Sequence, residues 1–292
     1  MRVTQRRSYQ IAALPVAIGL GVSLLFPPAA VAQSTTSAKP TSTSTSKSRS
    51  SNSSSSGSLG SSSLNGLTDY LDTNAVERTP IRVDERPQIN GLPDGVSVER
   101  VKWITDRRIE LQIKSKVMPK DVVKVQMLLA RDWHSQPNRK FPEVWALDGL
   151  RATDIESGWT SETNIEQLFA DKNVNVILPV GGESSFYSDW QSEDNGKHYM
   201  WESFLLNELI PVLKNGYRAN GDRAIFGLSM GGTAAMNLAE RNPDLFKFVG
   251  SFSGYLDTTS PGMPDAIRTA QQDAGGYHSE AMWGPDGSQQ WI

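Results

Sequence analysis

The sequence contains no cysteine. That excludes disulfide cross-links, a cysteine nucleophile and any thiolate metal site. Net charge is small: 29 Lys and Arg against 32 Asp and Glu leave −3, which is no electrostatic footprint for nucleic acid. Histidine is also scarce, with only His134, His198 and His278 in 292 residues. The apolar run from Ile11 to Phe26 is broken by Pro15 and Gly19. It falls short of the roughly 20 residues that a spanning helix needs.

What is present begins with an export signal. Arg2, Arg6 and Arg7 precede the apolar run, and Ala30-Val31-Ala32 offers the A-x-A pattern of signal-peptidase cleavage. Residues 1–32 read as a signal peptide cut after Ala32, with an uncleaved N-terminal anchor as the alternative; either exports the protein. Residues 33–66 are rich in Ser and Thr and cannot bury apolar surface, so a disordered linker is expected. Residues 67–95 form a transition without an assignment. Residues 96–292 carry the fold, and a hydrophobic content of 38% with eight Trp suits a large core.

Within that region the pattern is regular. Val96, Val98 and Val101 lead to a turn at Asp106-Arg107, and Ile109, Leu111 and Ile113 alternate with polar residues, which predicts a hairpin. Val122–Leu129 and Val144–Leu147 read as strands, and 174–178 as a buried parallel strand, apolar apart from Asn175. Residues 163–170 look helical, with Thr163 as N-cap. Trp201, Leu205, Leu209 and Val212 recur at helical spacing and predict a helix over 199–215, kinked by Pro211. A strand at 224–227, a helix at 230–241 and a strand at 246–252 follow. Such alternation predicts an α/β fold, a mostly parallel sheet with helices on both faces.

Gly227-Leu228-Ser229-Met230-Gly231 is a G-x-S-x-G pentapeptide between a strand and a helix. That context is what a nucleophile elbow requires. The serine sits in a strained turn, and the glycines two residues to either side remove side chains that would collide. The Met230 N–H at the helix start points where an oxyanion would sit. The second donor should come from a loop after an earlier strand, and Leu150, in Asp148-Gly149-Leu150-Arg151, fits.

These blocks occur in order with others: Pro179-Val180-Gly181-Gly182-Glu183-Ser184-Ser185-Phe186-Tyr187-Ser188-Asp189-Trp190, Gly275-Gly276-Tyr277 and Met282-Trp283-Gly284-Pro285. Together they resemble the antigen 85 and corynebacterial mycolyltransferase family, from about residue 96 to 292. The resemblance implies an α/β-hydrolase fold in the envelope of mycolic-acid bacteria. It also implies transfer of a mycoloyl chain from trehalose monomycolate to a sugar acceptor. By position, Ser229 becomes the nucleophile, and the Leu150 and Met230 amides the oxyanion hole. Asp148, Leu150, Arg151 and Asp257 become substrate contacts. Asp148 either orients Arg151 or holds a hydroxyl; a plain surface ion pair between the two is the alternative. The expected partners are trehalose mycolates and cell-wall glycans. A monomer without cofactor or metal is expected.

The resemblance also implies a departure. The family continues past the tryptophan matching Trp291 through strands that carry a glutamate acid and the histidine base. The chain is therefore expected to lack the last strands and the C-terminal helix. Ser229, Asp257 and His278 have the right order for an internal triad, but 258–277 is rich in Gly, Pro, Gln and Asp without a strand pattern, which weighs against it. His134 and His198 precede the elbow. A serine without a base is a weak nucleophile, and losing triad members costs about 10⁴ to 10⁶ in rate. A non-catalytic trehalose or glycolipid binder and a secreted carboxylesterase are the competing functions.

Overall fold

The structure is a computed structural model that describes residues 75–118 and 122–288. The signal peptide, the Ser/Thr linker and Trp291 lie outside the described residues. The hairpin forms where period-two patterning predicts it. β2 (Ser97–Trp103) and β3 (Arg108–Lys114) pair antiparallel, with Val101 opposite Leu111 and Trp103 opposite Ile109. Ile109, Leu111 and Ile113 are fully buried on one face. The unassigned segment contributes β1 (Arg82–Glu85), which pairs antiparallel with β2. Its residues are almost all exposed and polar, so no burial pattern marked it.

β4 (Val123–Leu128) continues the antiparallel meander and then pairs with β6 (Asn175–Val180). The second half is parallel: β5 (Phe141–Leu147) lies between β6 and β7 (Ala219–Leu228), and β8 (Phe248–Phe252) follows β7. The eight strands take the order β1-β2-β3-β4-β6-β5-β7-β8. The sheet is thus mixed, and its parallel half is the part where strands and helices alternate in sequence. All six residues of β6 are buried. Asn175 is tolerated there because its Oδ1 accepts the Ala130 N–H at 3.0 Å and its Nδ2 donates to the Tyr217 carbonyl at 3.2 Å.

Helices cover both faces. One face packs Trp145, Ile177 and Ile225 against Leu205, Leu209, Val212, Ala234 and Leu238. The other buries Ala146, Val176 and Leu178 against Ile165, with Trp159 and Phe226 alongside. Trp159 belongs to α1 (Gly158–Ser161) and Ile165 to α2 (Ile165–Leu168). Asn164, not Thr163, is the N-cap position of α2, although Thr163 Oγ1 still accepts the Ile165 N–H at 3.2 Å.

The predicted 199–215 helix is three pieces: α3 (Trp201–Ser203), a π-helical turn (Phe204–Leu209) and α4 (Ile210–Gly216). Pro211 sits harmlessly in the first turn of α4. The irregularity is the wider π turn, which carries the buried Glu208. Glu208 accepts the Ser115 hydroxyl at 2.5 Å and the Lys116 N–H at 3.0 Å.

α5 (Met230–Arg241) follows the serine directly. The strandless 258–277 segment contains a helix, α6 (Met263–Gly275), and α7 (Ser279–Trp283) comes next. Only Ile267 and Gln271 of α6 are buried, one turn apart, which is too little apolar signal to read from sequence. Left-handed Gly262 and Gly276 bound it. Among the described residues β8 pairs only with β7, and Phe248 on it is 61% exposed.

Candidate active site

Ser229 ends the β7-to-α5 turn with φ 52° and ψ −119°, a conformation few non-glycine residues adopt. The surroundings hold it there. Its N–H donates to the Phe252 carbonyl at 2.7 Å, and its carbonyl accepts the Gly232 and Thr233 N–H groups at 2.9 and 3.1 Å. A Cβ on Gly227 would lie 2.1 Å from the Gly231 carbonyl oxygen. A Cβ on Gly231 would lie 2.5 Å from the carbonyl oxygens of both Leu147 and Asp148. The two glycines therefore let the turn close on itself and on the end of β5. Ser229 itself is exposed.

The loop after β5 reaches the serine. A Cβ on Gly149 would be 3.9 Å from the Ser229 Cβ. Leu150 is half-buried against the main core, and its carbonyl accepts the Ser184 N–H at 2.8 Å. Among the described residues neither the Leu150 N–H nor the Met230 N–H has an internal acceptor. Met230 N–H also stands at the N-terminus of a twelve-residue helix. Amides without an internal acceptor in the two segments that adjoin the exposed serine are of the kind that can stabilise a developing oxyanion.

Asp148 is fully enclosed. Its carboxylate accepts the Ser157 hydroxyl and the Gly158 N–H, both at 3.1 Å, at the start of α1. Its own N–H donates to the buried Tyr187 hydroxyl oxygen at 3.1 Å. Burial pushes its carboxyl up to about 7, against the lowering effect of the Gly158 N–H and the Ser157 hydroxyl. Arg151 turns elsewhere, its Nη2 donating to the Asp273 carbonyl at 3.3 Å. Of the readings for Asp148, neither a contact that orients Arg151 nor an ion pair between the two is formed among the described residues, because Asp148 is engaged by Ser157 and Gly158 and Arg151 by Asp273. Asp257 is exposed and accepts the Thr259 N–H and hydroxyl at 3.1 and 2.8 Å.

The internal triad is not assembled. His278 Nδ1 lies 3.2 Å from Asp194, at the N-cap of α7. His198 Nε2 bonds the Trp190 carbonyl at 3.1 Å, and His134 Nε2 the Asp106 carbonyl at 2.8 Å. Among the described residues no imidazole hydrogen-bonds Ser229. Sequence reading also missed the part that loop 181–188 plays. Tyr187 and Ser184 of this loop bind the Asp148–Leu150 segment, and only the distinctive residue block hinted at it.

Comparison with known proteins fits this geometry. Residues 115–292 match the family described as "Putative esterase". Ag85A of Mycobacterium leprae (strain TN), named a diacylglycerol acyltransferase/mycolyltransferase, is 41% identical over 187 residues, covering 62% of this chain and 54% of that protein. Ag85B of Mycolicibacterium smegmatis, of the same description, is 45% identical over 148 residues, covering 49% and 45%. The chain thus spans about half the length of these curated relatives. The crystal structure of Mycobacterium tuberculosis MPT51 matches with a TM-score of 0.51 at 31% identity, covering 60% of this chain and 62% of that one. The Staphylococcus aureus serine hydrolase FphF gives a TM-score of 0.51 at 18% identity, over 62% and 67% of the two chains, a likeness of fold alone. The chain has the α/β-hydrolase fold and belongs to the esterase family, in its antigen 85 branch.

Proposed function

We propose that the protein is an exported acyltransferase of the cell envelope that moves mycoloyl chains from trehalose monomycolate to sugar acceptors through Ser229. One observation carries this reading: an exposed serine at a left-handed elbow, packed against the end of β5 and opening α5. The amides of Leu150 and Met230, which have no internal acceptor among the described residues, are the proposed oxyanion donors. Ser229 Oγ forms a bond to the ester carbonyl carbon, and the electron pair moves onto the carbonyl oxygen beside the two amides. Collapse breaks the bond to the departing sugar oxygen, which takes the serine proton. A second sugar hydroxyl then reverses these steps on the acyl-enzyme. Leu228 and Phe252, paired across β7 and β8 and both more than a third exposed, give an aliphatic chain an apolar surface beside the serine. Arg151 and Asp257 are the proposed sugar contacts. For Asp148 the same role requires its carboxylate to leave α1.

A non-catalytic glycolipid binder is the second reading, and the engagement of all three histidines away from Ser229 favours it. Incubation with an acyl-trehalose donor in the presence and absence of free trehalose separates these readings. A transferase passes the acyl group to trehalose in preference to water, and a secreted carboxylesterase passes it to water. A binder shows calorimetric trehalose uptake and no acylated serine.

A further inference from the structure

Gln271 is a polar residue in one of the two fully enclosed positions of α6, with no exposure at all. Its Nε2 donates to the Ser184 carbonyl at 2.9 Å and faces the Met282 sulfur at 3.4 Å. Ser184 is itself held left-handed, at φ 57°, although it is not glycine. The N–H of the same residue donates to the Leu150 carbonyl at 2.8 Å. A continuous chain therefore runs from the Gln271 amide through both polar groups of one strained residue to Leu150. Two residues further along α6, the Asp273 carbonyl accepts Arg151 Nη2 at 3.3 Å. The helix grips the 150–151 loop twice, once directly and once through Ser184.

We propose that Gln271 is a positioning residue: it fixes the Ser184 turn so that Leu150 presents its N–H toward the Ser229 oxyanion. The inference rests on the reading of Ser229 as the acylated nucleophile. The partners account for the amide donor, while Oε1 is buried without a hydrogen-bond partner among the described residues. Nε2 offers two hydrogens to two acceptors, the Ser184 carbonyl and the Met282 sulfur. A carboxylate would face two acceptors with no proton to give. A hydrocarbon would leave a buried carbonyl without a donor, and the strained turn could relax to rehydrate it. Because the Ser184 N–H moves with that turn, the Leu150 carbonyl it holds would move, and the Leu150 N–H on the other side of the same Cα would shift with it.

The test uses the full chain and two variants, Gln271→Met, which keeps volume without the donor, and Gln272→Ala on the exposed side of the same helix. Ser229 is titrated with a fluorophosphonate, and hydrolysis of an activated aryl ester is measured per titrated serine. Gln271→Met should lower kcat about tenfold and leave KM within about twofold, because the oxyanion donor acts in the transition state. Hydrogen exchange in the peptide holding Ser184 should quicken about tenfold while β5 and β7 keep their protection. Gln272→Ala should match the parent. An unchanged kcat per titrated serine would overturn the proposal, even with lower stability. Uniform acceleration of exchange through the domain would overturn it too, as the mark of a core defect. A parent chain whose Ser229 resists the fluorophosphonate would overturn the nucleophile reading and this inference with it. A reactive parent with an indifferent Gln271→Met sinks the inference alone.

Discussion

The Ser229 N–H and the Phe252 carbonyl are joined by a 2.7 Å hydrogen bond, which ties the elbow to the last residue of β8. The turn thus has three walls. Gly231 rests on the end of β5, Phe252 holds the serine backbone, and the first turn of α5 takes its carbonyl. A strained φ persists only when its surroundings over-determine it in this way.

The first consequence concerns Gly227. A methyl group there would overlap the Gly231 carbonyl. Gly227→Ala should destabilise the fold by roughly 2–3 kcal/mol, as overpacking does. Thermal unfolding measures the loss, and phosphonate labelling of Ser229 should fall with it. An alanine variant of parental stability would mean the turn is looser than described.

Asp148 gives a pH dependence. Its carboxyl is raised from 3.8 to about 7 by burial, so the folded state holds a proton that the unfolded state releases. The contribution to stability is fully present below the unfolded value and is lost as pH rises through the folded one. Between about pH 4 and 7 this group should therefore make the protein progressively less stable, by up to roughly 4 kcal/mol. Asp148→Asn removes the charge and keeps one oxygen for the Gly158 N–H, its NH2 group facing the Ser157 hydroxyl oxygen. Its unfolding free energy should be flatter over that range and exceed the parent's at pH 8. Parallel curves for the two proteins would contradict the assignment.

Glu156 anchors the other end of the same loop. Its side chain has no exposure and meets the buried Arg108 as well as Arg78, the latter at 3.1 Å. Glu156→Ala should cost about 3 kcal/mol or more by leaving Arg108 buried with its nearest counter-charge gone. Denaturant unfolding checks this, and double substitution with Arg108→Met should recover part of the loss. A single variant within about 0.5 kcal/mol of the parent would show that the pair is solvated.

The sequence made the elbow legible because its signal is local. Gly227, Ser229 and Gly231 stand at fixed spacing between a strand and a helix, and the backbone geometry needs that spacing. The β2–β3 hairpin was legible for a similar reason, since Ile109, Leu111 and Ile113 alternate strictly. Other features depend on distant partners and left no local trace. β1 is an exposed edge strand of Arg82, Val83, Asp84 and Glu85, recognisable only through its pairing with β2. α6 fully buries only Ile267 and Gln271, with Met263 half-buried against the core, and Gln271 looks like a surface residue until Ser184 is found beneath it. Asp148 reads as a ligand contact beside Arg151, yet its carboxylate goes to Ser157 and Gly158. His278 follows the elbow in the right order but lies against Asp194.

The central claim is acyl transfer through Ser229, and intact-protein mass spectrometry after reaction with an acyl-trehalose donor tests it most directly. The account predicts an acyl adduct on Ser229 that disappears when trehalose is added, with acylated trehalose formed in its place. Ser229→Ala should abolish the adduct and slow transfer by about three orders of magnitude or more. Transfer that survives Ser229→Ala, or an adduct on another residue, would contradict the account.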